Sequence, residues 1–397
     1  MTDLPVLRLR PKSKPQAIRH GFPWVFADEA VMDRRSRAIP PGGFAILEDA
    51  ERAPLALVTV NPNSKIVGRV MDANTDVRID GAWLRAKLDQ ALQLRQRLYD
   101  TPFYRLVHAE ADGLPGLVID RFGDAAVIQP NAAWADRMAE DLADALVDVT
   151  GVTTVILNGQ GRVRGLEGLE ERMEVLRGQA PSEPVAVPMN GATYLADLMG
   201  GQKTGLFFDQ RPNHAFAQRL AKGGTMLDVF SHVGGFGLAA LAAGAASATC
   251  VDGSAAALDL AKGGAGRMGA ADRLETVQSD AFKAMEKMAE DGRRFDLVVC
   301  DPPAFAPAKP ALEAGLRAYE RVAKLAAPLV APGGYLVLCS CSHAADLTAF
   351  RNVSARGIGR GGRRGVLIHT GQAGPDHPML PQLAETGYLK ALFFRLD

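Results

Sequence analysis

The stretch Asp228-Val-Phe-Ser-His-Val-Gly-Gly-Phe-Gly237 decides the fold. It ends an apolar run, TMLDVF (225–230), and leads into a helix-like stretch, so it reads as a strand turning through glycines into a helix. Glycines at such a turn let the backbone approach a ligand and leave amide groups exposed near a helix N-terminus. The spacing is not that of a dinucleotide GxGxxG, and no P-loop Lys-Ser/Thr pair follows. The turn alone is a weak signal; its surroundings give it meaning.

Downstream, ATCVD (248–252), LETVQ (274–278), FDLVVCD (295–301) and GYLVLCS (334–340) are apolar strand-like runs with helical stretches between them. Continuous apolar strands alternating with helices predict an α/β fold, a parallel sheet covered on both faces. Ligands of such sheets bind outside the carboxyl ends of the strands. Each run here ends in polar residues. Asp252, followed by Gly253 and Ser254, suits ribose hydroxyls or a helix N-cap. Asp280, before Ala281, suits an adenine amino group, a helix N-cap, or both. Asp301-Pro302-Pro303-Ala304-Phe305 is a stiff non-helical loop, and Cys339-Ser340-Cys341-Ser342-His343 follows the fifth run.

With these motifs, residues 189–397 resemble a class I S-adenosylmethionine (SAM) dependent methyltransferase, a Rossmann-like domain with a mostly parallel seven-stranded sheet. Phe230–Gly237, Asp252, Asp280 and Asp301 stand in its four usual motif positions. QKTGLFFDQR (202–211), DGLPGLVIDRFGD (112–124), DPP, SCS, PWVFADE (23–29) and DHP…GYLKALFFRL (376–396) extend the likeness over the whole chain. Together they resemble the bacterial 23S rRNA large-subunit cytosine-5 methyltransferases that carry an N-terminal PUA domain. The resemblance implies SAM as cofactor. Its contacts would be Asp228, Phe230, Ser231, Gly234, Gly235, Phe236, Asp252, Ser254, Asp280, Ala281 and Asp301, with Asp209, Gln210 and Arg211. The chain departs from the family at Ala304, where Lys is common, at His232-Val233, where Tyr-Thr is usual, and in the glycine-rich AKGGAGRMG (261–269).

Carbon 5 of cytosine is too weak a nucleophile to accept a methyl group unaided. A thiolate must first add to carbon 6. In the usual strand order 3-2-1-4-5 the fourth and fifth strands are neighbours, about 5 Å apart, which sets Cys341 beside Asp301. Cys341 is therefore the expected nucleophile, the role of the matching SCS cysteine in the resembled family. Asp301 would bond the cytosine edge near N3 and its amino group. Cys250, Cys300 and Cys339 read as core. His343 reads first as a cap or surface residue, and no His/Cys/Asp set has metal-ligand spacing, so no metal is expected.

The rest of the chain reads as two further modules. Residues 1–72 alternate short β runs with turns, a small all-β module that the resemblance implies is a PUA-like RNA-binding domain. Residues 73–188 read as an α+β middle domain for RNA presentation, with a helix over 82–100 and the Pro-rich 180–188 as a linker. The chain of 397 residues has zero net charge, but residues 1–37 carry eight Lys/Arg against four Asp/Glu, and 351–364 carries five Arg and no acid. Phosphate contacts are expected from Arg8, Arg10, Lys12, Lys14, Arg19 and Lys203, and from Arg356, Arg360, Arg363 and Arg364 in an Arg/Gly loop, with Phe305 against a base. Large-subunit rRNA is the expected partner, and a homodimer stays open. No membrane span is expected, and four cysteines with no disulfide pattern point to a cytoplasmic setting. Two other readings stand beside carbon-5 methylation. One is methylation of an exocyclic amine of guanine or adenine through DPPAF; the other is a non-catalytic RNA-binding assembly factor.

Overall fold

The computed structural model describes residues 4–201 and 205–397. The chain divides into two compact units: residues up to Ser182 together with Pro375–Thr386, and Glu183–Gly374 together with Gly387–Asp397.

The second unit is built on β1 (Thr225–Val229), β2 (Ser247–Asp252), β3 (Leu274–Gln278), β4 (Phe295–Cys300), β5 (Val330–Ser340), β6 (Gly365–Gly371) and β7 (Lys390–Leu396). They form one sheet in the order β3-β2-β1-β4-β5-β7-β6. The first five strands run parallel, and β7 lies antiparallel between β5 and β6. Between them run α1 (Arg211–Ala221), α2 (Gly235–Ala242), α3 (Ala255–Arg267), α4 (Ala281–Glu290), α5 (Leu312–Ala326) and α6 (Leu347–Arg360). Successive strand residues face opposite sides. Leu227, Val298, Leu336 and Leu392 join one core with Tyr319 and Val322; Met226, Val299, Val337 and Phe393 join another with Ala217 and Phe236. Burying both faces of five parallel strands is what their unbroken apolar sequence serves.

Two segments differ from their sequence reading. The Pro-rich linker becomes strand at Val185, where Val185–Met189 pairs with Ala192–Ala196 in a hairpin. Asn190 (φ 55°) and Gly191 (φ 76°) form its two-residue turn, the Asn-Gly pair that such a turn favours. The Arg/Gly loop is helix α6 as far as Arg360. A Cβ on its Gly357 would lie 2.5 Å from the Glu320 carbonyl oxygen on α5, so glycine there is a close-packing residue, not a breaker. The glycines of α3 work likewise: a Cβ on Gly264 would meet the Thr193 carbonyl oxygen of the hairpin at 2.6 Å.

In the first unit, Val6–Arg8, Trp24–Phe26, Gly43–Glu48, Pro54–Val60 and Ile66–Asp72 make a five-stranded sheet around Leu7, Leu47, Val58 and Val67. A second five-stranded sheet spans Phe103–Arg177 and packs on the helix Gly81–Leu98 through Leu84, Leu88 and Leu92. Arg95, fully buried, is held by both oxygens of Asp112 at 2.6 and 2.8 Å and by the Asp376 carbonyl at 2.8 Å. Among the described residues no helix is long and apolar enough to cross a membrane.

Candidate active site

One row of residues crosses the sheet where its strands end. Val277, Val251, Val229, Cys300, Leu338 and Leu392 are partners in register from β3 to β7. The polar ends lie just beyond it: Asp252 and Asp301 one residue on, Asp280 and Cys341 three residues on. The register of the sheet alone brings the motifs of five separate strands to one edge.

On the β1 side the backbone does most of the shaping. Phe230 (φ 64°) and His232 (φ 49°) are left-handed without being glycine, and Gly234 (φ 81°) follows. Each such non-glycine residue costs on the order of 1 kcal/mol or more, so the surroundings must impose it. Asp252 helps: its carboxylate accepts from the His232 amide at 2.8 Å and the Ser254 amide at 2.9 Å. Tyr194 of the hairpin, fully buried, donates to the Gly235 carbonyl at 2.9 Å. Behind the turn, His214 packs edge-on against Phe236, and burial pushes its imidazole down to about 3, so it is neutral.

Asp228 accepts from the Gly237 amide at 2.8 Å, and its other oxygen, Oδ1, is buried without a hydrogen-bond partner. Burial raises its carboxyl to about 7. Asp209 takes the Tyr388 hydroxyl on Oδ2 at 2.6 Å, while its buried Oδ1, like that of Asp228, has no hydrogen-bond partner among the described residues. SAM presents mainly donors: an ammonium group, two ribose hydroxyls and an adenine amine. Unfilled acceptors at Asp209 and Asp228, with spare lone pairs on Asp252, are the complement of that set. The residues fit the group. Asp280 caps α4 through the Lys283 amide at 3.0 Å, and Ser254 caps α3 through the Ala257 amide at 3.2 Å. Gln210, expected at the cofactor, is buried; it donates to Asp301 Oδ2 at 2.9 Å, while Asn213 donates to its Oε1 at 2.6 Å. Arg211 opens α1, and the Asn190 side chain donates to its carbonyl at 2.8 Å.

On the β4–β5 side, side chains do the holding. The Tyr319 hydroxyl and Ser342 Oγ are 2.7 Å apart; Ser342 Oγ accepts from the Ala306 amide at 3.0 Å, and the Tyr319 oxygen from the Phe305 amide at 3.4 Å. The Asp-Pro-Pro loop is thus tied to the cysteine turn. Lys390 Nζ donates to the carbonyls of Ser342 at 2.7 Å and Ala345 at 2.8 Å. Tyr319 and Lys390 are not singled out by the sequence, and Ser342 enters there only as part of the cysteine motif. The signal for Lys390 was a lone cation inside the apolar run LKALFF.

The four cysteines separate cleanly. Burial drives the thiols of Cys250, Cys300 and Cys339 up, out of the nucleophilic range. Cys341 is partly exposed. Phe305 packs on Tyr319 with ring centroids 5.0 Å apart, within an aromatic group that includes Phe230 and Phe282.

The basic residues divide as well. Arg8 pairs with Glu48, Arg19 with Asp49, and Arg10 donates to the Ala30 carbonyl, while Lys12 and Lys14 are exposed. Arg356 and Arg360 both pair with Glu320. Arg363 corrects its sequence reading: its guanidinium is spent on the Val330 carbonyl, the Ala327 carbonyl and Asp397, which leaves nothing for a phosphate. Arg364 is exposed, and Lys203 lies outside the described residues.

A glycine turn with open acceptors beside a fixed turn that carries Cys341, at the carboxyl edge of a 3-2-1-4-5-7-6 sheet, is the architecture of a class I methyltransferase. A family model described as S-adenosylmethionine-dependent methyltransferase matches residues 150–395, and one described as a PUA-like domain matches residues 7–73. The chain belongs to the SAM-dependent methyltransferase family, and SAM is its cofactor. It is 34% identical over 384 residues to ribosomal RNA large subunit methyltransferase I of Alteromonas mediterranea, covering 96% of each chain. It is 34% identical over 409 residues to the ribosomal RNA large subunit methyltransferase of Deinococcus radiodurans, covering 100% of this chain and 99% of that one. A Streptococcus mutans structure described as a SAM-dependent methyltransferase shares the fold, with a TM-score of 0.81 at 18% identity, covering 99% of this chain and 100% of that one.

Proposed function

We propose that the protein methylates carbon 5 of a cytosine in large-subunit ribosomal RNA, with Cys341 as nucleophile. The supporting observation is the tie between the Asp301 loop and the Cys341 turn through Tyr319 and Ser342, with the other three thiols buried. The relatives named as large-subunit rRNA methyltransferases match end to end and supply the substrate class.

Asp228, Phe230, Ser231, Gly234, Gly235, Phe236, Asp252, Ser254, Asp280, Ala281, Asp209 and Arg211 would hold SAM, which supplies an electrophilic methyl group. Cys341 adds to carbon 6 of the cytosine, and the electron pair displaced onto carbon 5 makes that carbon a nucleophile. Asp301, steadied by Gln210, bonds the N3 and amino edge of the base. After transfer the carbon-5 proton leaves to a base or water, and expulsion of the Cys341 sulfur restores the ring. A PUA-like domain at residues 1–72 and the middle domain 73–188 present the RNA to the catalytic domain 189–397, with Lys12, Lys14 and Arg364 as phosphate contacts.

Methylation of bulk rRNA by Cys341→Ala tests this reading. Activity should fall by about 10³-fold or more, with SAM affinity kept. Retained activity would sink the carbon-5 chemistry and favour an exocyclic amine held by the Asp-Pro-Pro loop.

A further inference from the structure

Lys390 opens β7 directly across from Ser340 and is only 7% exposed. The Ser342 and Ala345 carbonyls on its Nζ bracket the turn that begins at Cys341 and take two of the three ammonium protons. Both acceptors are neutral, and among the described residues no ion pair includes Lys390. A buried cation without an ion-pair partner is unfavourable, and an anion forming beside it relieves that cost. Burial holds this ammonium below the usual lysine range, while negative charge at Cys341, then at Asp346, favours its charged form. Tyr319, Asp301, His343 and Asp346 also stand around the turn, and none of them is a permanent cation.

We propose that Lys390 is the positioning cation for Cys341: pinned on the Ser342 and Ala345 carbonyls, its ammonium stabilises the sulfur as a thiolate and steadies the turn that carries it. This rests on Cys341 being the nucleophile. The thiolate is the form that adds to carbon 6, so charge at residue 390 sets how much of the enzyme is ready to react near neutral pH.

The test is the pH profile of Cys341 alkylation by iodoacetamide in the full-length protein, with Cys341→Ala as the blank. Lys390→Gln keeps two donors for the carbonyls and removes the charge; Lys390→Met removes both. SAM binding by calorimetry checks that each variant is folded. Lys390→Gln should slow alkylation at pH 7 by about tenfold and move the profile to higher pH, and Lys390→Arg should recover most of the rate. An unchanged profile in Lys390→Gln, or a Lys390→Arg as slow as Lys390→Met, overturns the proposal. Failure of the nucleophile reading is separate: it shows as methyl transfer by Cys341→Ala, whatever the alkylation profile.

Discussion

The glycine turn after β1 and the cysteine turn after β5 lie on one sheet edge and differ in what they leave open. In the first, the Asp252 carboxylate and the Tyr194 hydroxyl fix a strained backbone. Phe230 and His232 sit in left-handed conformations, and Asp209 and Asp228 each keep a buried oxygen without a hydrogen-bond partner among the described residues. The second is held by side chains, with Tyr319, Ser342 and Lys390 filling its hydrogen bonds. A site with open acceptors is completed by its ligand. A site closed by its own side chains is ready before the ligand arrives.

Among the residues that hold the two turns, breaking the side-chain tie should have the largest consequence. Tyr319→Phe removes the hydroxyl shared by Ser342 and Phe305, and methyl transfer should fall by roughly 100-fold at unchanged SAM affinity, as separate kcat and SAM-binding measurements would show. Gln210→Ala comes next. It strips the donor from Asp301, so about a tenfold loss in kcat with SAM binding intact is expected; a loss of SAM affinity instead would return Gln210 to the cofactor side.

The smallest effect concerns the glycine-turn side. The carboxyl of Asp228 is raised by burial to about 7 in the fold, from an ordinary 3.8. The folded state therefore binds the extra proton between those values. Its contribution to stability is present below about pH 4 and is lost as pH rises through about 7. Buried His108, driven down to about 2, and His214, to about 3, act with the opposite sign, losing stability as pH falls below the ordinary histidine value. The measurement is thus a difference. Asp228→Asn should gain thermal stability relative to wild type as pH rises from 4 to 8, and a constant difference would contradict the assignment.

The same contrast explains what the sequence shows. Strand alternation and the polar residue ending each strand are local patterns, so Asp252, Asp280, Asp301 and Cys341 were legible. The residues that finish the cysteine turn are not local. Lys390 lies in a strand that enters the sheet antiparallel, beside β5, only after β6 has passed. Gln210 reads like its neighbours Asp209 and Arg211, yet it directly precedes α1 and its side chain donates to Asp301. Charge counting sees only part of the picture for a related reason: the Arg cluster at 351–364 carries no acid of its own, and its partners Glu320 and Asp397 lie elsewhere in the chain. Glycine was misleading in α3 and α6, where it allows close packing that only the fold reveals.

The most direct measurement of the central claim is covalent trapping. Incubated with SAM and a large-subunit rRNA fragment containing 5-fluorocytosine, the enzyme cannot lose the carbon-5 substituent as a proton, so the sulfur stays bonded to carbon 6. A denaturation-resistant protein–RNA species that disappears in Cys341→Ala is the predicted result. Methylated RNA with no such species, or an adduct that survives in Cys341→Ala, would contradict it.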